Sequence, residues 1–318
     1  MEKKAKVVCV LSAPRSGSSA LTSLLSDMGI SMGAQEKLKQ SDEYNPKGYF
    51  ELKKVLEVNE KILREGVDAL IWEIGKSFGW SRQETTKTIE LFSWTVARNP
   101  IRPQDVNDST REEITNITRS MSVGGEAWLL KDARMCATLP VWEEYIDPVC
   151  IVLWRHPAEV QRSLKKMTGI PTKISLQLWY AYSRMAFMVS DRHPRICLSY
   201  QDLIENTETV QEKIGRFLSD QGLGASRFSR SGENQIDISL YRNRNREGVA
   251  LSAKQRDLYG ALVSQNYAQI GDLDREDADT SLVPLIGMAA YLNSELSRRP
   301  GRRFINRIAD IYHSIFGS

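Results

Sequence analysis

A chain of 318 residues, with 41% hydrophobic and 26% charged side chains, can bury a sizeable core as one large α/β domain or one domain with a helical extension. That composition and a net charge of +3 exclude a disordered chain and carry no nucleic-acid signature, so no nucleic-acid partner is expected. Four widely spaced cysteines, Cys9, Cys136, Cys150 and Cys197, read as buried free thiols of a reducing, cytoplasmic compartment. The basic N-terminus leads into an apolar stretch too short for a secretion signal, and no window approaches the roughly 18 apolar residues of a membrane span.

Residues 7–11 are a continuous, β-branched apolar run, which predicts a strand buried on both faces of a parallel sheet. A small polar stretch follows at 12–19, and Ala20, Leu21, Leu24, Leu25 and Met28 then recur at helical spacing. Residues 51–122 are mainly helical in period (Val55, Leu56, Val58, Ile62, Leu63) and read as a helical insertion. Runs at 127–131, 149–154 and 195–199 predict further strands, each followed by a helical segment. Strand alternating with helix predicts an α/β fold in three layers around a central parallel sheet. Helices are expected over 174–193 and 207–218, then a polar loop at 222–251, then helices near 253–267 and 282–296.

The strand, loop and helix at 7–29 aim backbone N–H groups and the positive end of a helix dipole at one point, which suits an anion. Gly17 lets the backbone approach an oxyanion closely, Ser18 and Ser19 add hydroxyl donors, and Arg15 supplies a forked cation. The ATP-binding pattern G-x-x-x-x-G-K-[ST] is not met: Ser18 follows Gly17 and no glycine stands upstream. A P-loop kinase or nucleotide hydrolase is thereby the weaker reading, and a catalytically silent nucleotide-binding protein stays open beside it.

The run Pro14, Arg15, Ser16, Gly17, Ser18, Ser19 resembles the 5'-phosphosulfate loop of the sulfotransferase family, P-[KR]-S-G-[TS]-[TS]. The resemblance implies a P-loop-like sulfotransferase fold of the bacterial type, with 3'-phosphoadenosine 5'-phosphosulfate (PAPS) as co-substrate bound at these six residues. It also implies that Arg15 stabilises the oxygen bridging phosphorus and sulfur as it leaves. The run 149–154 ends in Arg155, His156 and Pro157, and Ser163 follows Arg155 by eight residues. In the family an arginine and a serine at that spacing grip the nucleotide's 3'-phosphate. His156 stands where the family has Asp or Asn and takes no role from the resemblance. A late basic cluster, Arg242, Arg244 and Arg246, is similar in place to the family's nucleotide-covering loop, or else is a solvated charge run. The resemblance spans residues 5–220, which puts the core at 1–225 and leaves 226–318 for the covering loop and C-terminal helices packed on it.

Sulfuryl transfer needs the acceptor atom in line with sulfur, a base for its proton, and cations at the departing oxygen. A sulfuryl group carries less charge than a phosphoryl dianion, so fixed lysine and arginine side chains suffice and no metal is expected. Lys131 closes the run 127–131, at the carboxyl edge where ligands collect in open α/β sheets. Lys131, Asp132, Ala133 and Arg134 resemble the family's K-D-P-R segment, with alanine in place of proline.

Four carboxylates beyond the first helix are candidate bases: Glu36, Asp42, Glu43 and Glu51. Glu36 leads, 21 residues after Arg15, a distance similar to that of the catalytic glutamate in protein-tyrosine sulfotransferases. Its rival Glu51 closes a run, Asn45 to Glu51, that resembles one found among bacterial members. The acceptor is expected to be a carbohydrate, glycolipid or small metabolite with a hydroxyl or amine, met through 51–122. Residues 298–318, basic and then amphipathic, form either a membrane-surface helix or a helix packed on its own domain.

Overall fold

The computed structural model describes residues 4–41, 48, 50–77, 81–82, 85, 99–121, 127–168, 171–223 and 246–273. Its strands are β1 (Ala5–Leu11), β2 (Trp128–Lys131), β3 (Ile146–Trp154) and β4 (Arg195–Ser199). The helices are α1 (Ser18–Asp27), α2 (Lys53–Ser77), α3 (Asp108–Met121), α4 (Met135–Trp142), α5 (Pro157–Thr168), α6 (Thr172–Ser190), α7 (Tyr200–Glu205), α8 (Thr207–Asp220), α9 (Ala253–Val263) and α10 (Ala268–Asp272).

The four strands pair in the order β2-β1-β3-β4, all parallel. Val7 to Leu11 are at most 1% exposed, because β1 has a strand on either side and a helix layer on either face. Side chains alternate across the sheet. Val7, Cys9 and Leu11 face a core built with Val55, Val58, Ile62 and Leu63 of α2, Trp142 of α4 and Trp179 of α6. Val8 and Val10 face the other way, onto Leu21 and Leu24 of α1 and Ile214 and Leu218 of α8. The expected three-layer α/β arrangement is therefore present.

From β1 the chain passes to β2 on one side and then to β3 on the other, so the carboxyl end of β1 is a topological switch point. Val10 lies opposite both Lys131 and Ile151, which puts the last residue of β2 level with the start of the loop after β1.

Within the segment 51–122, α2 lines the main core beside the sheet, and Glu65 of α2 accepts hydrogen bonds from Asn107 and Thr110 at the start of α3. One detail differs from expectation. The helix expected over 253–267 stops at Val263, because Gln265 takes a left-handed φ of 56° and turns the chain into α10. The helix expected near 282–296 and the basic segment 298–318 lie outside the described residues.

Cys9, Cys136 and Cys150 are buried and unbridged, and burial pushes the Cys150 thiol up to about 12, so it stays protonated at neutral pH. Among the described residues no helix is long and apolar enough to cross a membrane.

Candidate active site

The turn between β1 and α1 is built on left-handed backbone. Gly17 has φ 94° and Arg15 has φ 67°, a conformation that costs a non-glycine residue about 1–2 kcal/mol. The Ser16 amide donates to the Ala13 carbonyl at 3.2 Å, closing the loop that follows Pro14. At the start of α1 the first turn holds no acidic residue and receives no side-chain cap. Its positive pole is thus left to Ser18, Ser19 and whatever anion the loop takes. A Cβ on Gly17 would stand 2.1 Å from a ring carbon of Tyr200, so the loop is seated against that aromatic face.

Arg15 does not extend away from the sheet. Its Nε donates to Ser163 Oγ at 3.1 Å. Arg155, at the end of β3, lies 4.2 Å from the centroid of the Tyr200 ring, and its Nη1 reaches the Arg15 carbonyl at 3.5 Å. Its Nε donates to Glu159 Oε2 at 2.9 Å, both side chains being buried. The Trp179 indole donates to the Arg155 carbonyl at 3.0 Å and fixes the strand end. Arg15, Arg155 and Ser163 therefore form one cluster at the carboxyl edge.

His156 accepts from the Ala158 amide at 3.2 Å through Nδ1 and meets Tyr259 edge-on at 4.7 Å. It acts as a local cap for the first turn of α5. Burial first, and then the neighbouring Arg246, lower its pKa to about 4, so its imidazole is neutral at pH 7.

On the other side of the loop, Lys131 Nζ donates to Glu51 Oε1 at 2.6 Å and to Ser19 Oγ at 3.3 Å. Glu51 reaches this position because the chain doubles back. Leu38 bridges Leu52 in antiparallel fashion, the Lys39 amide donates to the Glu51 carbonyl at 2.7 Å, and Phe50 adopts a φ of 54°. The Lys131–Glu51 pair is nearly sealed from water, with side-chain exposures of 5% and 11%. Next to it, Asp132 is held by Asn59 at 2.9 Å and by Arg134, and Asn59 in turn accepts from Thr138 and Trp142. That buried network fixes the strand end that carries Lys131.

Of the expected site residues, Arg15, Gly17, Ser19, Lys131, Glu51, Arg155 and Ser163 are linked around one loop, and Pro14, Ser16 and Ser18 lie within it. Glu36 is not brought in. It sits exposed in a single 3-10 turn, and among the described residues only its backbone carbonyl is engaged, by Lys53. Asp42, Glu43, Arg242 and Arg244 lie outside the described residues. Arg246 is described: its Nε donates to Glu159 Oε1 at 2.8 Å and its Nη2 to Gln201 at 3.0 Å, so this member of the basic cluster is docked on the Arg155 side.

Sequence reasoning missed Glu159 and Tyr200. The signals were a carboxylate four residues after Arg155, on the next helix turn, and an aromatic residue directly after β4 at the ligand-collecting edge.

No protein-family model matches the chain, and no curated protein matches it. Among solved structures it is similar to a sulfotransferase domain from the curacin biosynthetic pathway, at 15% identity and a TM-score of 0.47 over 82% of this chain and 99% of that one. It is also similar to a sulfotransferase domain from the Synechococcus PCC 7002 olefin synthase, at 16% identity and a TM-score of 0.46 over 83% of this chain and 96% of that one. At that identity and TM-score the likeness says nothing about what this chain's residues do.

Proposed function

We propose that the protein is a sulfotransferase that moves the sulfuryl group of PAPS to a hydroxyl or amine of a carbohydrate, glycolipid or small metabolite. One observation carries this reading. The anion loop is tied through Ser19 to a buried lysine–carboxylate pair, and through Arg15 to an arginine–serine cluster at the end of β3. A loop for the 5'-phosphosulfate thus stands between a base with its cation and a second anion clamp, the three parts that transfer from a bisphosphorylated donor requires.

PAPS supplies the activated sulfuryl group when bound. The uncapped first turn of α1 and the Gly17 backbone suit its 5'-phosphosulfate, and Arg155 with Ser163 suit its 3'-phosphate. Glu51 takes the acceptor's proton as the new bond to sulfur forms. The bond from sulfur to the bridging oxygen breaks, its electron pair stays on adenosine 3',5'-bisphosphate, and Arg15 and Lys131 meet the charge that develops there. Lys131, already hydrogen-bonded to Glu51, holds the base next to the loop.

The test is transfer of labelled sulfate from PAPS to a panel of sugars, lipids and phenols, together with titration by adenosine 3',5'-bisphosphate. Transfer to at least one acceptor class, and bisphosphate binding without magnesium, is the expected result. Magnesium-dependent turnover of ATP with no sulfate transfer would establish the kinase or hydrolase reading instead. Bisphosphate binding with no transfer to any acceptor would leave a nucleotide-binding protein.

A further inference from the structure

Glu159 is 1% exposed, yet it lies among the groups assigned above to a phosphate. A buried carboxylate beside an anion site opposes that anion, so its presence calls for a compensating role. Its two oxygens divide between two arginines: Oε2 accepts from Arg155 Nε at 2.9 Å and Oε1 from Arg246 Nε at 2.8 Å. Each guanidinium is thereby gripped at its Nε, which leaves its Nη groups for other acceptors. Arg155 Nη1 reaches the loop at the Arg15 carbonyl, and Arg246 Nη2 reaches Gln201 on α7.

Arg162 adds a third guanidinium, donating to the carbonyl of Glu247 beside Arg246. Arg155, Arg246 and Arg162 thus gather positive charge on this side of the loop, with His156 neutral, which suits a phosphomonoester dianion. Arginine side chains lose about 2 kcal/mol of rotamer entropy when ordered, and a buried carboxylate can meet that cost before the ligand arrives.

We propose that Glu159 is a positioning residue that fixes Arg155 and Arg246 as one preorganised pair, so that preference for a 3'-phosphorylated nucleotide depends on this carboxylate. The proposal rests on the reading of Arg155 as the ribose-phosphate clamp and extends it to a residue that never touches the nucleotide.

The experiment titrates the full chain with adenosine 3',5'-bisphosphate and, separately, with adenosine 5'-monophosphate. Glu159→Gln, equal in size but uncharged, weakens bisphosphate binding about tenfold and leaves the monophosphate unchanged. Glu159→Asp keeps the charge but is one methylene shorter, and falls between. Arg246→Ala changes a side chain that is 40% exposed and also weakens the bisphosphate alone. Joined to Glu159→Gln it adds less than its separate effect. If Glu159→Gln binds the bisphosphate as tightly as the unaltered protein, or more tightly, Glu159 is only a counter-charge and the proposal is overturned. Unchanged binding in Arg246→Ala overturns it as well, and decides the matter if the Glu159 variants do not fold. Equal affinity of the unaltered protein for the two nucleotides would instead overturn the underlying assignment of the clamp.

Discussion

Arg15 Nε and Ser163 Oγ are 3.1 Å apart although 148 residues separate them in the chain. One belongs to the loop after β1 and the other to α5 after β3, so the two proposed anion positions share a hydrogen bond. A serine assigned only to the 3'-phosphate would alter nucleotide affinity and nothing else. Here it also holds Arg15, the arginine proposed to face the leaving oxygen.

Ser163→Ala is therefore expected to weaken adenosine 3',5'-bisphosphate about tenfold and also to lower kcat. Arg15→Ala should lower kcat by about 10²–10³, as loss of an oxyanion donor does. Steady-state kinetics with calorimetry measure both. A Ser163→Ala enzyme with altered affinity and unaltered kcat would detach the hydroxyl from Arg15.

The Gly17 position allows a sharper comparison with Gly48, which shares its φ of 94°. A Cβ added at Gly48 would find nothing within 4 Å among the described residues, whereas one added at Gly17 meets the Tyr200 ring at 2.1 Å. Gly48→Ala should cost only the left-handed penalty of about 1–2 kcal/mol. Gly17→Ala should cost more and abolish bisphosphate binding, since either the loop or Tyr200, and with it Arg155, must move. Denaturant melts of the two variants test this; equal destabilisation would mean that the contact with Tyr200 yields freely.

Much of this arrangement is written locally in the chain. Residues 7–11 announce a doubly covered strand by being apolar without interruption, and the eight-residue step from Arg155 to Ser163 survives because both lie on one strand-to-helix unit. Contacts made by the chain returning on itself are not legible that way. Distance from Arg15 along the chain favours Glu36, but the Leu38–Leu52 bridge folds the segment so that Glu51, not Glu36, meets Lys131. Arg246 could not be told from a solvated charge without its buried partner Glu159, which lies 87 residues away.

The Lys131–Glu51 pair separates stability from chemistry. Lys131→Met takes the close partner from the buried Glu51 carboxylate and leaves the exposed Lys39 at 4.0 Å from it, at a cost of up to about 3–5 kcal/mol. Adding Glu51→Gln removes that poorly compensated charge, so the double variant should recover most of the loss while staying inactive. Thermal melts and transfer assays on the two variants are the measurement. Activity in the double variant would show that neither residue takes part in the reaction.

His156 gives the acid side of the stability profile. Its pKa is about 4 in the folded protein against 6.5 for the unperturbed group, first because of burial and then because of Arg246. Between those two values the unfolded chain holds more protons at this position than the folded one. Stability contributed here is therefore fully present above about pH 6.5 and is lost as pH falls toward 4. The opposite sign would hold for a histidine that gains a carboxylate partner on folding. His156→Asn removes the titrating ring and retains an acceptor for the Ala158 amide. It should flatten the decline in melting temperature between pH 6.5 and 4 without changing the value at pH 8 by a comparable amount. An acid-side slope identical in the two proteins would mean that other groups govern it and that the imidazole titrates as it does in the unfolded chain.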